Sequence, residues 1–284
     1  MKESINSEDI KVGLENFGFG RGDKLMIHSS LSSFGWVEGG AEAVIEALME
    51  LVGTEGTILM PSFNHGGIFR EGGQGIFDPL KTRCTDGRIP DTFWRMRDVY
   101  RSLNPTHSFA AWGSNAERYT RDHHLTLTMG EDSPLGLIAR EGGYQLNIGT
   151  THSATTAKHL AETMNRAPCL GYRTEAYPVR LPDGRIVHHR TWGWRERGCP
   201  ITDSGGNIEA EMERLKLQKK GYIGKSLVTY FRLSDLLKAV LNLLDDGYAE
   251  VPSCSRCPIR PQGIYATCPS DWSDKGRPDP RSLI

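Results

Sequence analysis

The residues of this sequence best suited to chemistry fall in three short runs. The first is His28-Ser29-Ser30-Leu31-Ser32-Ser33, where hydroxyls crowd between an apolar segment and the pair Gly39-Gly40. Hydroxyls and N–H groups gathered before a helix suit an anion such as a pyrophosphate, because the first N–H groups of a helix lack partners within it. The plainer alternative is a serine-rich loop that satisfies its own backbone. The second run, Arg101-Ser102-Leu103-Asn104-Pro105-Thr106-His107-Ser108, joins a cation, a proline-stiffened turn, a histidine and hydroxyls. It reads either as a further wall of an anion site, with Arg101 as charge partner, or as a loop with a well-bonded surface histidine. The third run is His159-Leu160-Ala161-Glu162. Positions i and i+3 of a helix share a face, so Glu162 can accept a hydrogen bond from His159, fix its tautomer and raise its basicity. The other ring nitrogen is then a general base. A surface ion pair worth about 0.3 kcal/mol is the competing reading.

These runs need elements to hold them. Lys24 to His28 reads as a short strand after the turn Arg21-Gly22-Asp23, and Ala41 to Val52 as a helix with Val44, Ile45, Leu48, Leu51 and Val52 on one face. Thr57 to Met60 is a second strand, ended by Pro61. The Gly- and Pro-rich stretch Phe63 to Pro90 is long enough to be a functional loop, and a short helix follows near Pro90 to Arg97. Ser133 is placed to cap a helix with Pro134 at its first position. Tyr144 to Ile148 is a strand, and Ala154 to Asn165 is the helix that carries His159 and Glu162. The turn Leu181-Pro182-Asp183-Gly184 joins a hairpin between Tyr172 and Arg190. Glu209 to Lys220 reads as a charged helix, Val228 to Phe231 as a strand, and Ser234 as the cap of an apolar helix, Leu236 to Leu244.

The alternation of strands and helices predicts an α/β fold, a mixed α/β sandwich with a central sheet flanked by helices. Residues 1–251 form its domain, 172–220 a small inserted β/α subdomain that binds substrate, and 252–284 an irregular Cys- and Pro-rich C-terminal arm. The 284 residues suffice for a sizeable core. A formal net charge of −1 gives no global field to attract nucleic acid. No apolar run approaches the roughly 20 residues needed to span a bilayer. The polar, acid-bearing N-terminus lacks the features of a signal peptide, and six cysteines in so long a chain read as thiols, so a cytoplasmic location is expected.

In their order and spacing these segments resemble the aminoglycoside 3-N-acetyltransferase family. The resemblance runs from about Ser7 to Gly247. It is carried by Leu25-Met26-Ile27-His28-Ser29-Ser30-Leu31 with Val37-Glu38-Gly39-Gly40-Ala41, by Gly53-Thr54-Glu55-Gly56-Thr57-Ile58-Leu59-Met60-Pro61, by Phe77-Asp78-Pro79 and Ser133-Pro134-Leu135, and by the Arg101–Ser108 and His159–Glu162 runs. It implies acetyl transfer from acetyl-CoA to the 3-amino group of a 2-deoxystreptamine antibiotic, with no metal in the chemistry. His159 and Glu162 correspond to the family's catalytic pair. Thr156, one turn earlier, matches its pattern, with a hydroxyl that would help hold the thioester oxygen. His28 through Ser33 correspond to the coenzyme A pyrophosphate loop, with Arg101, His107 and Ser108 nearby. The amine attacks directly in a ternary complex, and no acyl-enzyme is needed. The implied partners are a small-molecule amine and acetyl-CoA, with a homodimer as a possible assembly.

A polycationic acceptor calls for an acidic lining, and the run from Glu175 to Glu213 offers one. Glu175 and Asp203 are the candidates taken forward, alongside Asp183, Glu196, Glu209, Glu211 and Glu213, against a background of solvated surface charge. Arg195, Arg197 and Arg214 interrupt this acidity and put the acceptor in question, so acylation of another amine is the second reading. Two remoter ones are a metal-dependent hydrolase using His28, His65, His107 and His159, and a silent coenzyme A-binding protein. Cys254 and Cys257, with Cys268 and Cys199, are either zinc ligands or plain thiols, and Cys84 and Cys169 are small buried residues. His123-His124 and His188-His189 read as surface histidines.

Overall fold

The computed structural model describes residues 4–64, 75–173, 176–195, 197–263 and 265–266. Its centre is a seven-stranded mixed sheet. In spatial order the strands are Lys219–Ile223, Ser226–Arg232, Tyr144–Ile148, Lys24–Ser29, Thr57–Pro61, Phe109–Gly113 and Tyr100–Arg101. The three central strands, from Tyr144, Lys24 and Thr57, run parallel, and the outer strands are antiparallel to their neighbours. Alternating side chains divide the core between two faces. Met26 and Leu59 point into one hydrophobic cluster, under the helices Pro134–Arg140, Ala157–Met164, Gly205–Arg214 and Leu233–Asp246. Leu25, Ile27, Ile58 and Met60 point into the other, under Ser7–Asn16, Gly40–Val52 and Arg88–Phe93. The sandwich expected from the alternating pattern is therefore present, with helices on both faces.

The elements that frame the loops follow from local chemistry. Ser133 caps the helix Pro134–Arg140 by accepting from the Gly136 N–H, with proline at the start where no N–H is missed. Asn6 closes a capping box with Asp9 and opens the helix Ser7–Asn16, which the polar composition of the N-terminus had hidden. The expected Ala154–Asn165 helix begins only at Ala157, because His152–Ala154 forms a separate 3-10 turn. The charged helix is Gly205–Arg214 and stops where Lys216 takes a left-handed φ of 55°, after which Lys219–Ile223 is an edge strand. The apolar helix starts at Leu233, so Ser234 lies inside it and does not cap it. The expected hairpin is present as Tyr177–Arg180 against Ile186–His189. In the arm, Cys254–Arg256 form a 3-10 turn and Tyr265–Ala266 pair with the strand Gly171–Arg173. Among the described residues no helix is long and apolar enough to cross a membrane.

Candidate active site

The carboxyl ends of the three parallel strands meet at one edge of the sheet, and the first and third motif runs meet there. His28 shares strand parity with Met26 and so faces the Ala157–Met164 helix. Its Nε2 accepts from the Thr156 N–H at 3.2 Å and lies 3.1 Å from the Thr156 hydroxyl. Burial, and then the positive charge of Lys158, push the His28 pKa down to about 3, so the ring is neutral.

His159 and Glu162 stand on one face of their helix with His159 Nδ1 3.0 Å from Glu162 Oε2. Glu162 is fully enclosed, whereas His159 is about a third exposed. The carboxylate has two further partners: Arg195 donates to Oε2 at 2.5 Å, and the Thr202 hydroxyl donates to Oε1. Arg195 also bonds Asp203. Burial opposes charge on Glu162, but the facing His159 and Arg195 outweigh it and hold its carboxyl well below the usual carboxylate range. Glu162 and Asp203 in turn raise the guanidinium pKa despite its burial. An ionised Glu162 makes Nδ1 of His159 the donor and leaves Nε2 as the basic nitrogen.

Three connected clefts surround this pair. One of about 300 Å³ is lined by His28, Ser29, His107, Thr150, Lys158 and His159, among others. A wider one of about 800 Å³ shares Ser29 and Asp86 with it and runs along Ser30, Leu31 and Ser32 to Gly39, Gly40 and Arg88. A third, of about 160 Å³, lies against His107, Thr128, His159, Glu162 and Arg195. His107 and His159 are thus common to the first and third.

The expected site residues divide on this geometry. Ser29, Ser30, Leu31 and Ser32 line the wide cleft. Ser33 turns inward, bonding the Ser30 carbonyl at 2.6 Å and Ser226 Oγ at 2.7 Å. From the second run only His107 reaches the clefts. Arg101 is spent on Ser62 and on the Thr82 carbonyl, with its guanidinium 4.4 Å from the Trp94 ring centre. Ser108 is buried against the Ser62 carbonyl at 2.7 Å. Both hold the loop after the Thr57–Pro61 strand and line none of the three clefts. Thr156 donates to His28. Asp203 is engaged by Arg195, and Glu175 lies outside the described residues, as do His65, Glu196 and Cys268.

Two histidines read as surface are interior. His123 is threaded between Ser102 Oγ at 2.8 Å and the Thr128 carbonyl at 2.9 Å, and His189, at the end of the Ile186–His189 strand, is buried as well. Desolvation brings them down to about 3 and about 4. His188 is exposed, as expected. Cys84, Cys169 and Cys254 are buried free thiols, and Cys199 and Cys257 are half-buried ones. Among the described residues no group of three or more His, Cys, Asp or Glu side chains is placed to hold a metal. Arg195, Thr202, Lys158 and Thr150 were not singled out as site residues. Arg195 and Thr202 lie 33 and 40 positions from Glu162, beyond any helical spacing.

The profile of the aminoglycoside 3-N-acetyltransferase family matches residues 26–245, from the strand of His28 to the last helix of the sandwich. The chain belongs to the aminoglycoside 3-N-acetyltransferase family. Family membership makes it an acetyl-CoA-dependent acyltransferase. Among curated members, it is 32% identical over 238 residues to the SPbeta prophage-derived aminoglycoside N(3')-acetyltransferase-like protein YokD of Bacillus subtilis, covering 77% of this chain and 76% of that one. It is 32% identical over 233 residues to aminoglycoside N(3)-acetyltransferase IV of Salmonella sp., covering 81% and 84%. The crystal structure of Bacillus subtilis YokD superposes with a TM-score of 0.76 at 27% identity, over 87% of this chain and 96% of that one. A histidine-to-alanine mutant of aminoglycoside acetyltransferase AAC(3)-IVa in complex with a gentamicin superposes with a TM-score of 0.74 at 29% identity, covering 87% and 91%.

Proposed function

We propose that the chain transfers the acetyl group of acetyl-CoA to an amino group of an aminoglycoside, with His159 as general base and Glu162 as its anchor. The observation that carries this is the position of His159: its ring is the wall between two clefts, and its Nδ1 is tied to an enclosed, ionised carboxylate. The wide cleft suits the nucleotide end of coenzyme A. It ends at the start of the Gly40–Val52 helix, where unpartnered N–H groups and Arg88 favour phosphate. The narrower cleft then leads the pantetheine arm to His159, and the acceptor amine enters from the third.

In this arrangement His159 Nε2 takes a proton from the attacking nitrogen, and Glu162 steadies the imidazolium. Holding both reactants against one ring supplies much of the acceleration. We predict that His159→Ala lowers thiol release from acetyl-CoA by about 100-fold or more on every accepted aminoglycoside, read with a chromogenic thiol reagent. A variant that keeps wild-type turnover would end this assignment.

One observation favours a second acceptor class. The third cleft presents a single carboxylate among the described residues, Glu162, already held by Arg195. A monoamine acceptor fits that lining better than a polycation, and a panel containing both kinds separates the two. The cytoplasm is the proposed location, where acetyl-CoA is made and where the five cysteines among the described residues, all unpaired, persist as thiols. A homodimer belongs to the same proposal. It is supported by exposed Tyr222 and Leu227, which face each other beside the sheet edge, and sedimentation tests it.

A further inference from the structure

The cleft of about 300 Å³ holds a buried cation with no role so far. Lys158 is only 6% exposed and lines the cleft beside His159. Its ammonium donates to the Ser153 carbonyl at 2.9 Å, and among the described residues no carboxylate lies within ion-pair distance of it. A desolvated ammonium with one neutral partner is costly unless an anion arrives. Two hydroxyls in the same lining share this state. Ser29 Oγ and Thr150 Oγ1 are shut off from solvent without a hydrogen-bond partner, at the ends of adjacent parallel strands. The Thr156 N–H and hydroxyl, by contrast, are turned onto His28.

Resting on the acyl transfer proposed above, we infer that Lys158, with the hydroxyls of Ser29 and Thr150, binds the negative charge that develops on the thioester oxygen. The amine lone pair forms the new C–N bond while the carbonyl π pair moves onto oxygen. The C=O bond then re-forms as C–S breaks, and the sulfur leaves with its electron pair. The proton that His159 takes from nitrogen goes to that sulfur, so the products are the amide and free coenzyme A. Of the anions in this reaction, the phosphates suit the wide cleft, whereas the carbonyl oxygen acquires its charge beside His159. Donors fixed in place before the reaction stabilise that charge without reorganising.

The test is steady-state and single-turnover kinetics of Lys158→Met, Lys158→Arg and the double variant Ser29→Ala/Thr150→Val. Lys158→Met is expected to lose about 100-fold in kcat, with KM for acetyl-CoA and amine within about threefold. Lys158→Arg restores part of the loss. Burial lowers the Lys158 pKa, with His28, Asp86, His107, His152, His159, Glu162, Arg195, Cys199 and Asp203 as the titratable or charged groups around it or in its cleft. Wild-type kcat therefore falls on the alkaline side, and Lys158→Met lacks that limb. Should Lys158→Met fail to fold by circular dichroism, the wild-type alkaline limb and the double variant decide. Full kcat in folded Lys158→Met overturns this inference and leaves the acyl transfer standing. So does a wild-type preference for malonyl-CoA that the variant reverses at unchanged acetyl rate, because the ammonium then reads the donor chain. A wild type that releases thiol with no amine brings down both.

Discussion

At the residue scale the site is a carboxylate with competing claims on it. Glu162 accepts from His159, Arg195 and Thr202, and Arg195 is shared with Asp203. The His159–Glu162 pair was legible because helical geometry is local: two residues three apart must share a face whatever the rest of the chain does. Arg195 was legible only as a charge spoiling an acidic stretch, since nothing local ties it to a helix more than 30 positions earlier. Lys158 and Thr150 were hidden for the same reason, because burial in a cleft is decided by packing. Arg195→Met should destabilise the fold by about 3 kcal/mol at pH 7, the usual result of stripping one partner from a buried pair. Glu162 is held low in the folded chain, so its contribution is present above the ordinary carboxylate pKa of about 4.3 and lost as pH falls through its lowered value. Without Arg195 that folded value rises, and the deficit against wild type should shrink as the pH is brought towards about 4. Chemical denaturation at several pH values checks this, and a deficit that does not vary with pH would refute it.

At the scale of elements, the turn after the Tyr144–Ile148 strand decides whether the site forms. Gly149 has φ +64°, and a Cβ there would lie 1.9 Å from Ser33 Oγ and 3.0 Å from Ser226 Oγ. The glycine therefore lets the Ser30–Ser33 turn close onto the neighbouring strand end and aims Thr150 into the cleft. Gly149→Ala should lose about 2 kcal/mol or more of stability through the left-handed backbone and the clash, measured by urea unfolding. An unchanged midpoint would mean the turn has room to spare. The strand itself was legible residue for residue, because glycines bound on both sides a short run that alternates Tyr144, Leu146 and Ile148 with Gln145 and Asn147. The charged helix was misplaced because Lys219 and Lys220 protect a sheet edge, and edge strands guarded by charge have the composition of a solvated helix face.

At the scale of the whole molecule, the layers were legible from alternation, but the strand order was not. The strand Lys24–Ser29 pairs in parallel with Tyr144–Ile148, more than a hundred residues on, and no local pattern records that choice. Burial of His28, His123 and His189 was equally invisible, and it has a global consequence. Their pKa values fall from about 6.5 in the unfolded chain to about 3, 3 and 4. Their contribution to stability is complete above the unfolded value and lost as pH falls towards the folded ones. The melting temperature should therefore climb between about pH 4 and 6.5, with proton uptake on unfolding at pH 5. A flat profile across that interval would contradict the burial.

The shared wall formed by His107 and His159 has a consequence for inhibition. Two ligands of modest strength, one shaped for the donor side and one for the acceptor side, sit within a ring's width of each other. Joined by a tether long enough to pass the imidazole, each would raise the local concentration of the other, and the pair would grip far more tightly than either alone.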